Sequence, residues 1–348
     1  MKKFILILFV IMVLVSCGKQ EKGSAVSMKG VVKDRKKPLA WGKKQKIYVF
    51  ADDNVWKYAE DDLRQTIERT YYTTLNEKIF ELERVPFSKL EDYFRFNNLI
   101  FYGDVSSEQE VSKYVKERLG SKIDERIAAD GGAIYPAYNL WADDQLVLFL
   151  VGETEERLLK LNMLQASKIW EIFKERLYNR IEYQIYRTRR KPMSNFTDKI
   201  WELDLPANYV KFREDNINHF TSYLARSKSQ SDRYISVYYE DMPDNIISRD
   251  WLIEKRNEIG DKYYDGDKFD KQDVTISNDE IAGHKGMKLR GRWQNKKYYM
   301  GGAFSCFAFW EPDMKKVFII DNSVYYPEGD KLLALIELEI ISNSFRLK

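Results

Sequence analysis

The chain is predicted to fold as an α+β protein of two modules, each a mainly antiparallel sheet covered by helices. Three features of the sequence point there. Strand-like and helix-like segments alternate over residues 38–191, the apolar period of residues 154–190 is that of one long helix, and residues 192–348 turn rich in strand patterns before a closing helix. Pro192 stops the long helix near residue 190, so the modules are expected over 38–191 and 192–348. A chain of 348 residues has room for two domains, each of the common size of about 100–200 residues.

A segment of another kind precedes the modules. Lys2 and Lys3 form a positive head, residues 4–15 are an unbroken apolar run, and its end overlaps the box Leu14-Val15-Ser16-Cys17. This is the pattern of a bacterial secretory signal over 1–16 that ends in a lipobox. The run is too short to span a bilayer, which takes about 20 apolar residues. Ser16 is small enough for cleavage before Cys17, whose thiol then carries diacylglycerol while the freed amine takes a further acyl chain. The plainer account is an ordinary cleaved signal that happens to contain a cysteine; charge, length and box together favour lipidation. Residues 17–37 are polar and read as a flexible tether. No second apolar run approaches spanning length, so the lipid does the anchoring, and two or three acyl chains hold durably where one does not. Gly18 stands where an Asp would favour the inner membrane, which makes the outer membrane of a two-membrane bacterium the expected location.

The first module opens with a strand over 46–51 and the cap Asp52-Asp53-Asn54. A helix over 55–71 follows, with Trp56, Ala59, Leu63 and Ile67 on one stripe. Residues 79–85 and 98–103 read as strands, and 107–119 as a second helix. Residues 133–140 and 145–151 form a hairpin around Trp141-Ala142-Asp143-Asp144, and Pro136 places its first strand at a sheet edge. Over 154–190, Leu159, Met163, Ala166, Trp170, Phe173, Leu177, Ile181 and Ile185 recur at three- and four-residue steps. Glu155 and Glu156 at its start, and Arg187, Arg189, Arg190 and Lys191 at its end, complement the helix dipole.

In the second module strands are expected over 199–205, 209–213, 220–225, 234–239, 288–293, 298–310 and 315–325, the sixth interrupted at Gly301 and Gly302. A short helix over 250–259 is closed by Gly260. Glu311-Pro312-Asp313-Met314 suits a turn, and Asp330 caps a final helix over 331–345.

Composition excludes several functions. Once Lys2 and Lys3 leave with the signal, the 57 basic and 54 acidic residues nearly balance, which gives no steering toward nucleic acid. With two cysteines, one of them Cys17, Cys306 has no intrachain partner. The alternation of its strand puts Cys306 beside Phe304, Ala308 and Trp310 as a buried structural thiol, with no cationic neighbour to activate it. Only two histidines occur, His219 and His284, which disfavours a His-rich zinc site. Asp265, Asp267, Asp270 and Asp273 miss the calcium-loop template, since Phe269 stands where an oxygen ligand belongs and Asp270 where Gly is needed; a solvated acidic loop is expected there. No nucleophile elbow is present, and neither a catalytic set, a metal nor a cofactor is expected.

The most unusual local composition lies over residues 283–302. Gly283, Gly286, Gly291, Gly301 and Gly302 surround Trp293, Tyr298, Tyr299 and Met300. Bulges and tight turns in a bent sheet are one reading. The other is close backbone approach to a ligand beside aromatic rings, with Gly291, Trp293, Met300, Gly301 and Gly302 as the candidate binding surface.

Two stretches carry a resemblance. Lys37-Pro38-Leu39-Ala40-Trp41-Gly42 leads into the first strand. Later come Gly291-Arg292-Trp293, Met300-Gly301-Gly302 and the hairpin to Val324-Tyr325-Tyr326-Pro327. With the lipobox, these resemble a family of uncharacterised bacterial envelope lipoproteins known only as a domain of unknown function. The chain departs from that pattern at Ala303, where a Pro is expected. The resemblance implies a tethered binding or scaffolding module and supplies no reaction or cofactor. The second half is also loosely similar to antiparallel-sheet modules of the photosystem-extrinsic type. The expectation is thus a non-enzymatic lipoprotein that binds an envelope protein or glycan. The alternative is an envelope hydrolase or glycan-modifying enzyme with a cleft near residues 283–302, which needs His284 to converge with Asp321 or Glu311.

Overall fold

The computed structural model describes residues 37–120, 127, 130–187, 196–226 and 231–348. The signal, the lipobox residues Leu14, Val15, Ser16 and Cys17, nearly all of the tether and Pro192 lie outside them. The first half contains β1 (Lys46–Ala51), α1 (Asp53–Ile67), the short strands β2 (Thr70–Tyr71) and β3 (Glu77–Lys78), β4 (Glu81–Arg84) and α2 (Leu90–Tyr93). It continues with β5 (Asn98–Asp104), α3 (Glu110–Leu119), β6 (Gly132–Tyr138), β7 (Leu146–Gly152), α4 (Glu155–Leu164) and α5 (Ala166–Tyr186).

Antiparallel pairing dominates the molecule, but the first sheet departs from it. Its order is β4-β1-β5-β7-β6, and β1–β4, β1–β5 and β5–β7 are parallel; only β6–β7 is antiparallel. Helices cover both faces. Val111 and Val115 of α3 pack on Phe50, Phe101 and Phe149, while Ala59 and Leu63 of α1 pack on the opposite face with Leu158 and Phe173. A sheet covered twice needs strands that are apolar throughout, and β5 and β7 are buried along their whole lengths. Pro136 sits on the edge strand β6, where its missing N–H costs nothing.

The helix expected over 154–190 is two helices. Gln165 breaks it, with φ −110° and ψ 14°. The buried side of α4 is Leu158 and Asn162, and Met163, expected in the stripe, is 67% exposed. Leu158 is held tightly against the end of β7: a Cβ on Gly152 would stand 2.5 Å from the Leu158 nitrogen. With α4 fixed there, the chain bends at Gln165 before α5 runs on to the second half.

The second half contains β8 (Trp201–Glu202), β9 (Val210–Asp215), β10 (Phe220–Ala225), β11 (Asp232–Asp241), α6 (Arg249–Tyr263), β12 (Lys268–Ile281), β13 (His284–Asn295), β14 (Met300–Glu311), β15 (Lys316–Tyr325), α7 (Leu332–Ser342) and β16 (Arg346–Leu347). Seven strands form an antiparallel sheet in the order β12-β13-β14-β15-β11-β10-β9. Three expectations are corrected here. The expected acidic loop is divided: Asp265 and Asp267 lie in the turn after α6, with Asp267 buried, and Asp270 and Asp273 lie in the edge strand β12. β14 runs through Gly301 and Gly302 without interruption. Finally, α6 continues past Gly260, which has no room for a side chain because a Cβ would meet the Asp267 carbonyl oxygen at 2.5 Å.

Helix α7 lies between the second sheet and α5, and one apolar core runs through both halves. Because it is buried from Ala334 to Ser342, α7 is apolar on most of its circumference. Its two acids are paired: Glu337 with Arg233 at 2.6 Å and Tyr209 at 3.0 Å, Glu339 with Tyr178 at 2.8 Å and with Lys288. The first half also caps it. Glu77 accepts from the backbone nitrogens of Lys331 and Leu332 at 2.8 and 2.9 Å, the role expected of Asp330.

Candidate functional site

Helix α6 covers only part of the outer face of the second sheet. It ends at Tyr263, and the chain turns back through Asp265 (φ 55°) and Gly266 (φ 90°) into β12. Between this turn and the uncovered sheet lies a cavity of about 280 Å³. Its walls are aromatic: Phe212 from β9, Tyr234 from β11, Tyr264 from the turn, Trp293 from β13 and Tyr298 from the β13–β14 connection, with Met300 beside them. The Trp293 indole N–H is buried without an acceptor among the described residues.

The polar groups are held by a small network. The Asn295 amide nitrogen donates to the carbonyls of Tyr264 and Asp265 at 3.3 and 3.2 Å and to Asp267 Oδ1 at 2.8 Å, pinning the turn against β13. Asp265 pairs with Arg213 at 2.8 Å. Asp267 is 7% exposed. Burial pushes its carboxyl up to about 6, against the pull of Asn295 and Arg256.

Of the five residues expected to form a binding surface, Trp293 and Met300 line this cavity. The glycines serve packing. A Cβ on Gly302 would lie 2.0 Å from the Val324 carbonyl oxygen and 2.7 Å from Trp293 Nε1, one on Gly291 2.8 Å from the Phe304 ring, and one on Gly301 3.0 Å from the Trp293 carbonyl oxygen. Gly302 thereby lets Trp293 lie flat against β14. Sequence reasoning missed Tyr234, Tyr264, Asp267 and Asn295 as site residues. They come from separate strands and a turn, and no local pattern joins them.

Beneath the cavity, under α6, lies a buried ion pair. Arg256 Nε donates to Asp321 Oδ1 at 3.0 Å, and the guanidinium lies over the Phe304 ring at 4.5 Å. Burial is the largest influence and opposes the charge on Arg256, but the attractions of Asp321, Cys306, Tyr264 and Asp267 together raise its pKa. Cys306 lies beside Asp321 on the same face as Phe304 and Ala308, as expected, and burial pushes its thiol well above the usual range. Such a thiol is no nucleophile.

The sheet keeps His284 from Asp321. His284 stacks on Phe309 at 4.2 Å, and Phe309 belongs to the core on the α7 side, whereas Asp321 faces α6. The nearer partner is Glu311, whose Oε2 is 3.6 Å from His284 Nδ1. His219 stacks on Tyr239 at 4.4 Å. No group of three or more metal-ligating side chains exists among the described residues. In the first module, the crevice at the C-terminal ends of β1 and β5, a common ligand site in open parallel sheets, is filled from within. The Asp52 carboxylate accepts from the nitrogens of Val111 and Ser112, each at 2.9 Å, and so caps α3.

No curated protein matches the chain. Among solved structures it is similar to a Bacteroides thetaiotaomicron protein at 9% identity, over 43% of this chain and 45% of that one, with a TM-score of 0.28. The chain therefore spans less than half the length of that protein. It is similar to LpqN of Mycobacterium tuberculosis, involved in cell envelope biogenesis, at 10% identity over 42% and 83% of the two chains with a TM-score of 0.28. Likeness to the cyanobacterial PsbP of Synechocystis is 9% identity over 46% and 92%, with a TM-score of 0.31. Likenesses this distant say nothing of what the chain binds. Residues 40–186 match the domain of unknown function DUF8532 and residues 193–344 match DUF4837.

Proposed function

We propose that this chain is a lipid-anchored protein of the bacterial cell envelope that works by binding a ligand or partner rather than by catalysis. The observation that carries the binding reading is the aromatic cavity at the end of α6. It is lined by rings, a thioether and a pinned carboxylate, while both histidines and Cys306 lie elsewhere. Such a lining holds a ligand and offers no activated nucleophile. The anchor reading rests on Lys2, Lys3, the apolar run and the Leu14-Val15-Ser16-Cys17 box.

Two experiments separate these readings from their rivals. Acyl labelling and globomycin-sensitive processing should be lost in Cys17→Ala, and an unchanged mobility and membrane association of that variant would refute the anchor. In a deletion strain, the double variant His284→Ala/Glu311→Ala should complement fully, whereas Tyr298→Ser, at an exposed turn position of the cavity, should not. The opposite pattern would favour an envelope enzyme working near residues 283–302.

A further inference from the structure

We propose that the cavity at the end of α6 receives the ammonium group of a small organic amine or quaternary ammonium, with Asp267 as its counter-ion and the surrounding rings as its walls. The inference rests on reading this cavity as the binding site and assigns it a ligand class.

The charge inventory comes first. Two cationic side chains approach the cavity, and each has a carboxylate of its own. Arg213 is bound to Asp265 at 2.8 Å and lies over the Phe212 ring at 5.3 Å. Arg256 is bound through Nε to Asp321 at 3.0 Å and lies over Phe304; its terminal nitrogens hold no hydrogen bond among the described residues, and it pulls on Asp267 from beyond ion-pair distance. Asp267 is left over, more than nine-tenths buried, and the side-chain donor on it is the neutral amide of Asn295. Among the described residues no cation stands at ion-pair distance from it. A carboxylate taken out of water in this way is unfavourable unless a positive charge joins it. An anionic ligand would worsen the imbalance. A neutral sugar would accept or donate hydrogen bonds there and leave the charge uncompensated.

The rings supply the second observation. Phe212 and Tyr234 stand at 71° with centroids 5.5 Å apart, and Tyr234 and Tyr264 at 82° with centroids 6.2 Å apart. Successive rings near right angles form the sides of a box. Aromatic faces carry negative potential, and boxes of this kind are the usual receptor for alkylated ammonium groups. At about 280 Å³ the cavity has room for a headgroup rather than for a folded chain.

The test is titration calorimetry of the full mature chain in detergent with choline and ethanolamine, against 3,3-dimethylbutan-1-ol, which has the shape of choline without its charge. Choline should bind at least about tenfold more tightly than the neutral isostere, the order expected of a desolvated cation–π site. Asp267→Asn should reduce choline affinity at least tenfold, while His284→Ala, on the opposite face of the sheet, should change it little. Vesicles displaying phosphatidylcholine or phosphatidylethanolamine, compared with the free amines, tell a lipid headgroup from a soluble ligand. Equal affinity for the neutral isostere, or no heat with either amine, would overturn the proposal. If that happens while Tyr298→Ser still fails to complement, the ammonium assignment falls and the binding site stands. If Tyr298→Ser complements although choline binds, the assignment stands and the cavity's role in the binding function falls.

Discussion

Replacing Asp267 with Asn should make the protein more stable above neutral pH. The carboxyl rises from 3.8 to about 6 in the fold, chiefly because burial disfavours its charge. At about 1.36 kcal/mol per unit, ionised Asp267 costs the native state up to about 3 kcal/mol. The sign follows from proton counts. Between pH 4 and 6 the native state holds a proton on Asp267 that the unfolded chain has released. Stability from this group therefore falls as pH rises through that window and is level above it. Asn keeps an acceptor oxygen for the Asn295 amide, so the substitution removes the charge while sparing the hydrogen bond. Urea denaturation at pH 8 should show Asp267→Asn gaining up to about 3 kcal/mol, with the difference shrinking toward zero near pH 4. Burial also raises Asp321, whose charge adds to the rise at Asp267, so part of the variant's gain is relief of that repulsion. A variant that is less stable at pH 8, or one whose gain is the same at every pH, would refute the reasoning.

Two further substitutions probe the fold around the site. Glu77→Ala removes the carboxylate that caps α7 from the first half and should cost about 1 kcal/mol in urea denaturation. No change would mean that the two halves are not tied there. Gly302→Ala should cost about 1–3 kcal/mol or more, because its Cβ would lie 2.0 Å from a backbone oxygen, and should shift the fluorescence of Trp293. Gly283→Ala, which meets nothing within 4 Å but sits at φ 83°, should cost about 1 kcal/mol, and the contrast in thermal unfolding separates crowding from backbone strain.

Much of the fold was legible because local chemistry decided it. Strand β1 and strand β10 lie where the alternation and composition place them, and Pro136 marked an edge strand correctly. The misses share a cause in tertiary contact. The long helical period over 154–190 contains no Gly or Pro, so nothing local announces the bend at Gln165; the pressure comes from Leu158 against Gly152. Gly260 looks like a helix end by local rules, yet it is interior because Asp267 comes close from another element. β12 reads as a loop because its polar side faces water at the edge of the sheet, and its pairing with β13 is visible only in space. In the site, Trp293 and Met300 were legible as an aromatic, glycine-rich stretch. Tyr234, Tyr264 and Asp267 were not, since β11, the turn after α6 and β13 meet only after folding.

The other buried charges of this molecule give Asp267 its meaning. Arg180 is spent on Asn98 Oδ1 at 2.7 Å, the Asn97 carbonyl at 2.9 Å and Asp144. Glu337 and Glu339, carried into the common core on α7, each meet a cation and a tyrosine. Arg256 meets Asp321. In each of these pairs an opposite charge stands where burial demands it. Asp267 has no cation at ion-pair distance among the described residues, and it stands where α6 stops short of the sheet and rings line the gap. A structural role does not require a carboxylate there, since Asn or Gln would hold the Asn295 amide without the cost of charge. Local rules give way in folded proteins mainly where function asks for it. A buried carboxylate without an ion-pair partner in the lining of an aromatic cavity is therefore better read as half of an ion pair whose other half belongs to a ligand.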